Sequence, residues 1–340
     1  MVYAIVSSIE KASSMTKGGT KLKKNIAAIA VFIMTIFVIA GCGPKAGQKV
    51  ENVGNSYLTV TDDEGRTVVL AKKPERIMAL AGSDLNLLDA VDANLVGRVN
   101  TKVGIIPARY KDLPEVGVAT GLNIEKIVAL KPDCVLAIAG QHDKYIQLLE
   151  SNNIPVIMLR IKSFAEVKAK LHLMSQIAGT EAKGDAVIAE LDKEVLNTLS
   201  KLPKEKKTVV ILHATAKNVT VELDTSIAGG VAKMLGLENV ADNGTKKLSG
   251  DKIPYSLEEL VNRNPDVILL TSMGDEQETE KRLKEDMTSN PAWSSLAAVK
   301  NGKFYILPEK YFLLNPGLNY PAAIKYMAKE IYPEAFANEK

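Results

Sequence analysis

The chain has 340 residues, 46% apolar and 24% charged, with two cysteines and three histidines. That length suits two domains and that composition suits packed cores. The formal net charge is +3, but the first 41 residues hold five Lys and one Glu, so without them it falls to −1. A remainder this close to neutral gives nucleic acid no electrostatic footing.

Residues 1–41 read as a targeting segment. Lys17, Lys21, Lys23 and Lys24 precede an apolar run over residues 26–40, shorter than the roughly 20 residues of a membrane span. The run ends in Ile39-Ala40-Gly41-Cys42, and small residues before a cleavage point mark a signal peptide. The Cys directly after them resembles a bacterial lipobox, which implies that Cys42 carries lipid and becomes the mature N-terminus. Residues 1–14 are an extension, with Met15 as an alternative start. Residues 42–57 read as a polar tether. Their GPKAGQK lacks the spacing of a phosphate-binding loop.

Residues 58–162 form the first α/β lobe. Residues 58–61 and 67–70 flank Asp-Glu-Gly as a hairpin. Residues 76–80 are a strand, Ser83 is the N-cap of a helix over 84–91, and a short strand at 95–96 stops at Gly97. Helices over 124–130 and 144–150 alternate with strands over 134–138 and 156–159, which predicts a mostly parallel sheet. Ligands of such sheets sit outside the carboxyl ends of the strands. That picks out residues 81–83, 98–102, 140–142 and Arg160. Cys134, inside an apolar strand, reads as a buried thiol.

Residues 163–202 form the connecting element. Phe164, Val167, Leu171, Met174 and Ile177, then Val187, Leu191, Val195 and Leu199, stripe one helical face. Ser163 and Glu166 make a capping box. Gly179-Thr180 breaks or bends the run. At 1.5 Å per residue a continuous helix would reach roughly 57 Å, enough to cross two bodies.

Residues 203–340 form the second α/β lobe. Strands are expected over 208–212, 267–270 and 304–307, and helices over 226–235, 257–261, 276–286 and 320–331. The strand ends present residues 213–215 and 271–273, with Tyr255 and Tyr311 on nearby loops. Residues 124–136 (IEKIVALKPDCVL) and 257–269 (LEELVNRNPDVIL) align without gaps. They share Glu125/Glu258, Val128/Val261, Pro132/Pro265, Asp133/Asp266 and Leu136/Leu269. Two copies suggest a bilobal protein rather than a solenoid.

The stretches 59–70 with Pro74-Glu75-Arg76-Ile77, 123–136, 264–270, Trp293 with 298–305, and Tyr332-Pro333 resemble the class III substrate-binding proteins of ABC importers for ferric siderophores, haem and cobalamin. That resemblance implies two α/β lobes joined by a long rigid helix, moving little around one ligand. It also implies one surface glutamate per lobe pairing with permease arginines, and Glu125 and Glu258 match those positions. A carboxylate near a helix N-terminus is also the ordinary dipole-matched choice.

Cobalamin-binding relatives use tryptophans where this chain has Ala119 and Ile138, so cobalamin is disfavoured. Haem relatives clamp iron with a Met and a His where this chain has Leu88 and Met273, so haem iron needs other donors: His142, His213, Met273 or Tyr311. Siderophore relatives use Arg and Tyr, here Arg98, Tyr110, Arg160, Tyr255 and Tyr311. His172, on the connecting helix, reads as structural. Three scattered His do not build a bare-metal site. No G-x-S-x-G, HExxH or CxxC pattern is present, which argues against a hydrolytic enzyme. The resulting expectation is a monomeric lipoprotein at the outer face of the cytoplasmic membrane, without a resident cofactor. It would deliver a ferric siderophore or haem to an ABC permease dimer with its ATPase. Alternatives are a cobalamin receptor and a surface receptor or adhesin without an importer.

Overall fold

The computed structural model describes residues 56–101, 106–215, 218–242, 250–254, 256–273, 281, 285, 289–313 and 315–339. Met15, Cys42, Tyr255 and most of 276–286 lie outside the described residues. Strands β1 (Leu58–Thr61) and β2 (Thr67–Leu70) form an antiparallel hairpin. The Asp62 carboxylate in its turn accepts from the backbone N–H groups of Glu64, Arg66 and Met158.

The first half continues with β3 (Ile77–Ala79), α1 (Leu85–Ala90), β4 (Leu95–Asn100), β5 (Glu115–Val118), β6 (Gly121–Leu122), α2 (Ile124–Ala129), β7 (Cys134–Ile138), α3 (Asp143–Glu150) and β8 (Val156–Leu159). Its sheet runs β6-β5-β4-β3-β7-β8 and is parallel except at β6. β8 reads VIML and is buried throughout, as a strand covered on both faces must be.

Helices α4 (Phe164–Ala178) and α5 (Glu181–Leu199) follow. The expected single long helix is therefore corrected to two. Gly179 sits at φ 66, ψ 43, a left-handed backbone that costs glycine little. Gly179 N–H reaches Gln176 O at 3.1 Å and Thr180 N–H reaches Ser175 O at 2.8 Å, the two bonds of a Schellman C-terminus. The chain then folds back. Lys168 pairs with Asp192 at 2.6 Å and His172 lies 3.5 Å from Asp185, a descending register that makes the pair antiparallel. The capping box at Ser163 and Glu166 is present.

The second half contains β9 (Thr208–Ala214), β10 (Val219–Glu222), α6 (Ile227–Met234), β11 (Glu238–Asn239), β12 (Lys252–Pro254), α7 (Leu257–Arg263), β13 (Val267–Ser272), α8 (Pro291–Ser295), α9 (Ala297–Lys300), β14 (Phe304–Ile306), α10 (Glu309–Phe312) and α11 (Tyr320–Ile331). Its sheet runs β12-β10-β9-β13-β14, with β11 pairing the start of β9. β9, β13 and β14 are parallel.

The repeat survives in detail. Asp133 accepts the N–H groups of Glu75 and Arg76, both at 2.9 Å, at the entry to β3. Asp266 accepts the N–H and hydroxyl of Thr208, both at 2.8 Å, at the start of β9. Lys131 and Asn264, the residues before the paired prolines, both have positive φ.

One apolar cluster runs from Ile77, Leu136 and Ile157 of the first sheet through α1, α4, α5 and α11 to Val209, Ile211 and Leu269 of the second. The other face of each sheet has its own cluster. Met78, Val135 and Met158 pack with Ile127 and Leu149, while Leu212, Ile268 and Leu270 pack with Leu260 and Trp293. Among the described residues no helix is long and apolar enough to cross a membrane.

The hairpin closes tightly at Gly184, where an added Cβ would lie 2.6 Å from Ser175 Cβ. Gly184→Ala should destabilise the fold by about 1–2 kcal/mol, overpacking outweighing the gain in helix propensity. A lowered chemical denaturation midpoint checks this; an unchanged midpoint would contradict so close an approach.

Candidate functional site

Three of the polar side chains expected to meet a ligand in the first half are spent on the scaffold. Arg98, on β4, is 4% exposed. Its guanidinium donates to the carbonyls of Tyr110, Val99 and Lys111 at 2.8–3.1 Å and meets Glu115 at 3.0 Å. It buttresses the segment between β4 and β5, so the geometry assigns it to that segment rather than to a ligand. Tyr110 is buried there too, and its hydroxyl donates to Ala93 O at 2.6 Å. His142 is 1% exposed. Its Nδ1 accepts from Ile138 N–H at 3.0 Å and its Nε2 meets Ala119 O at 2.7 Å, the geometry of a neutral Nε2–H ring. Burial lowers its pKa. Both nitrogens are occupied, so neither is left for iron. Arg160 stays at the surface just past β8, held by Glu64 at 2.7 Å.

The second half gathers a different set. On the face of the sheet that joins the shared cluster, His213 of β9 lies opposite Thr220 of β10 and Thr271 of β13. His213 Nδ1 is 2.9 Å from the Thr271 hydroxyl, which in turn donates to Glu222 Oε1 at 2.7 Å. His213, Glu222 and Thr271 are each at most 5% exposed. Lys252 Nζ approaches the same carboxylate at 3.9 Å. Met273, two residues past Thr271, is 53% exposed, and its N–H is held by Ala214 O at 3.0 Å. Tyr311 lies half-buried on α10, its ring 6.3 Å from those of Phe312 and Tyr326.

Two features escaped the sequence reading. Glu222, the last residue of the alternating strand VTVE, was not singled out. Asp84 was read as the start of a helix capped by Ser83. Instead Gly82–Asp84 is a tight 3-10 turn at the carboxyl end of β3, and the Ser83 hydroxyl donates to the Asp84 carboxylate at 3.2 Å. No ion pair reaches Asp84 among the described residues, and burial pushes its pKa up to about 6. Nearby on α1, Asn86 Oδ1 is buried without a partner, as is Asn315 Nδ2. Gly317, whose N–H bonds Asn315 Oδ1, packs against the Asn86 amide.

Glu125 and Glu258 occupy the same place in the two repeat copies. Each lies in the first turn of its helix, beside an N-cap whose side chain accepts a backbone N–H, Asn123 for α2 and Ser256 for α7. Both are exposed and neither forms an ion pair among the described residues. Glu125 borders an open groove of about 930 Å³ lined by Leu122, Ile124, Val128 and Leu148. No group of three or more His, Cys, Asp or Glu among the described residues converges on a metal-sized site.

The family model for periplasmic binding proteins matches residues 77–311. The Fe(3+)-citrate-binding protein YfmC of Bacillus subtilis (strain 168) is 27% identical over 304 residues, covering 84% of this chain and 90% of that protein. The high-affinity heme uptake system protein IsdE of Staphylococcus aureus (strain MRSA252) is 24% identical over 308 residues, covering 90% of this chain and 97% of that protein. Among solved structures, an ABC transporter substrate-binding protein from Listeria monocytogenes EGD-e aligns with a TM-score of 0.68 at 28% identity. The alignment covers 77% of this chain and 100% of that one.

Asp84 gives the fold a pH signature. With its pKa raised, it favours the folded state when protonated, below about pH 4, and that contribution is lost as pH rises through about 6. Asp84→Asn should therefore raise stability near pH 7.5 by on the order of 1–3 kcal/mol and flatten the pH dependence between 4 and 7. Urea unfolding of both proteins across that range checks it; parallel curves would contradict the burial of a charge.

Proposed function

Because the chain belongs to the periplasmic binding protein family over residues 77–311, we propose that it captures a ferric complex between its two α/β halves and delivers it to an ABC permease. Members of this family are substrate-binding proteins of ABC transporters, not enzymes. The cargo class follows the relatives, one named for ferric citrate and one for haem uptake. The binding groups we assign are Arg160, His213, Met273 and Tyr311, together with Tyr255. Lipid on Cys42 would tether a monomer to the outer face of the membrane, since several acyl chains contribute about 0.8 kcal/mol per buried CH₂.

The observation that carries the docking part is the paired glutamates. Two copies of one helix-turn-strand unit each present an exposed carboxylate in the same first helical turn, with no cation paired to it among the described residues. Such a pair suits two arginines on a two-fold permease. Glu125→Arg combined with Glu258→Arg should abolish cargo uptake in cells while leaving the affinity of the purified protein for its ferric complex unchanged. Normal uptake by the double variant would remove the docking role.

A further inference from the structure

Glu125 stands at the rim of an apolar surface. Val128 and Ala129 follow it by three and four residues, on the same face of α2. That face, β6 and the end of α3 border the open groove of about 930 Å³. Leu122, Ile124, Val128 and Leu148 give it apolar walls, and Leu148 is 49% exposed. A single exposed apolar residue is ordinary, but one that walls a groove with three others marks a contact surface. Glu125 is the sole charged residue among those lining it. The two amides in the lining already have bonds: Asn123 Oδ1 accepts from Lys126 N–H at 2.9 Å, and Asn152 Nδ2 donates to Leu148 O at 2.8 Å. The groove belongs to the face of the first sheet that packs with Met78 and Val135, opposite the core shared with the second. In the second repeat copy Leu257 and Val261, which match Ile124 and Val128, pack against a cluster that holds Trp293, the chain's one tryptophan. The first copy has no such side chain to offer.

Resting on the docking reading above, we propose that this groove is the apolar half of the permease contact. The permease segment whose arginine meets Glu125 also inserts a Leu-, Met- or Phe-sized side chain between α2 and α3. Charge and donor chemistry select that occupant. A ferric chelate carries negative or oxygen-rich groups, and the groove offers them a carboxylate and two amides with bonds already made. No His, Met, Tyr or Cys lines it to reach a haem iron. A second copy docked here about a two-fold axis would set Glu125 against Glu125, and an anionic lipid headgroup would meet the same carboxylate. An apolar group next to a cation satisfies the walls and the rim together. Apolar contact around the Glu125–arginine pair also excludes water, and an ion pair left exposed to water contributes little.

The test measures uptake of iron, supplied as ferric citrate or as haemin, by cells making the full chain. The purified protein is measured alongside for its affinity for the same two complexes and for its denaturation midpoint. Leu148→Gln makes one wall polar at a half-exposed site. Gly121→Trp puts an indole into the lining, where an added Cβ meets only Val118 Cγ2, at 3.7 Å. Each should lower uptake about 10-fold or more, with affinity and midpoint as in the wild type. Leu148→Met, which keeps the wall apolar, should retain uptake. Normal uptake by Leu148→Gln and Gly121→Trp, while Glu125→Arg with Glu258→Arg abolishes it, would overturn the groove contact and leave the docking reading standing. Normal uptake by all of these variants, or none by the wild type, would overturn both. Weakened cargo affinity in the groove variants would overturn the proposal in favour of a cargo site. A purified chain that is dimeric until Gly121→Trp makes it monomeric would overturn it in favour of self-association. Should Gly121→Trp lower the midpoint, the Gln and Met variants of Leu148 decide alone.

Discussion

The left-handed turn at Gly179 sets the architecture of the middle of the chain. A continuous rod over residues 163–201 would leave much of its apolar stripe in water. Folding back at Gly179 lets Leu171, Met174 and Ile177 share one core with Leu191 and Val195. Burying each such side chain is worth roughly 1.5–3 kcal/mol, far above the cost of one glycine in a conformation it adopts freely. The hairpin then serves both sheets. Its first helix packs on α1, and its second packs mainly on α11. Because the core is continuous through these helices, sliding one sheet against the other would open gaps in close-packed apolar surface, which a protein interior resists.

The internal repeat has a mechanical explanation. The first N–H groups of a parallel strand enter the sheet with no ladder partner of their own. Asp133 and Asp266 supply that partner from the turn preceding the adjacent strand, in both copies and at nearly the same sequence separation. Each clasp holds the turn that follows α2 or α7, the helix whose first turn carries Glu125 or Glu258.

Local signals were legible in the sequence and non-local ones were not. Alternation and apolar runs mark nine of the fourteen strands among the described residues, and the capping box at Ser163 and Glu166 formed as read. The gapless alignment of 124–136 with 257–269 found the two related units. The reading stopped β4 at Gly97, yet the strand continues to Asn100. A side chain at 97 would strike Met78 Cε at 2.7 Å, so the glycine marks close packing inside a strand, a use of glycine that looks like a terminus from sequence. Gly179 was recognised as a break, but whether the chain bends or reverses depends on which apolar stripe finds a partner. Arg98, Tyr110 and His142 were expected at a ligand because their residue types suit one. Their real partners include carbonyls 12 to 23 residues away, which no short-range pattern records.

The same distinction bears on where function resides. Polar groups in a protein interior are normally satisfied, because an orphaned donor or acceptor costs about 1–3 kcal/mol. Arg98, Tyr110 and His142 obey that rule and are accounted for by the scaffold. Among the described residues the exceptions collect near the ends of β3, β9 and β13: Asp84 with a hydroxyl as its side-chain partner, Asn86 and Asn315 with orphaned amide atoms, and Thr220 with an unpaired hydroxyl. A buried carboxylate such as Glu222, set against His213 and Thr271, is weakly justified by stability, since apolar residues of similar volume commonly do as well. Places where a sequence breaks local rules without structural gain tend to be functional. In both halves they fall where parallel sheets bind their ligands, at the ends of strands whose starts the two aspartates hold.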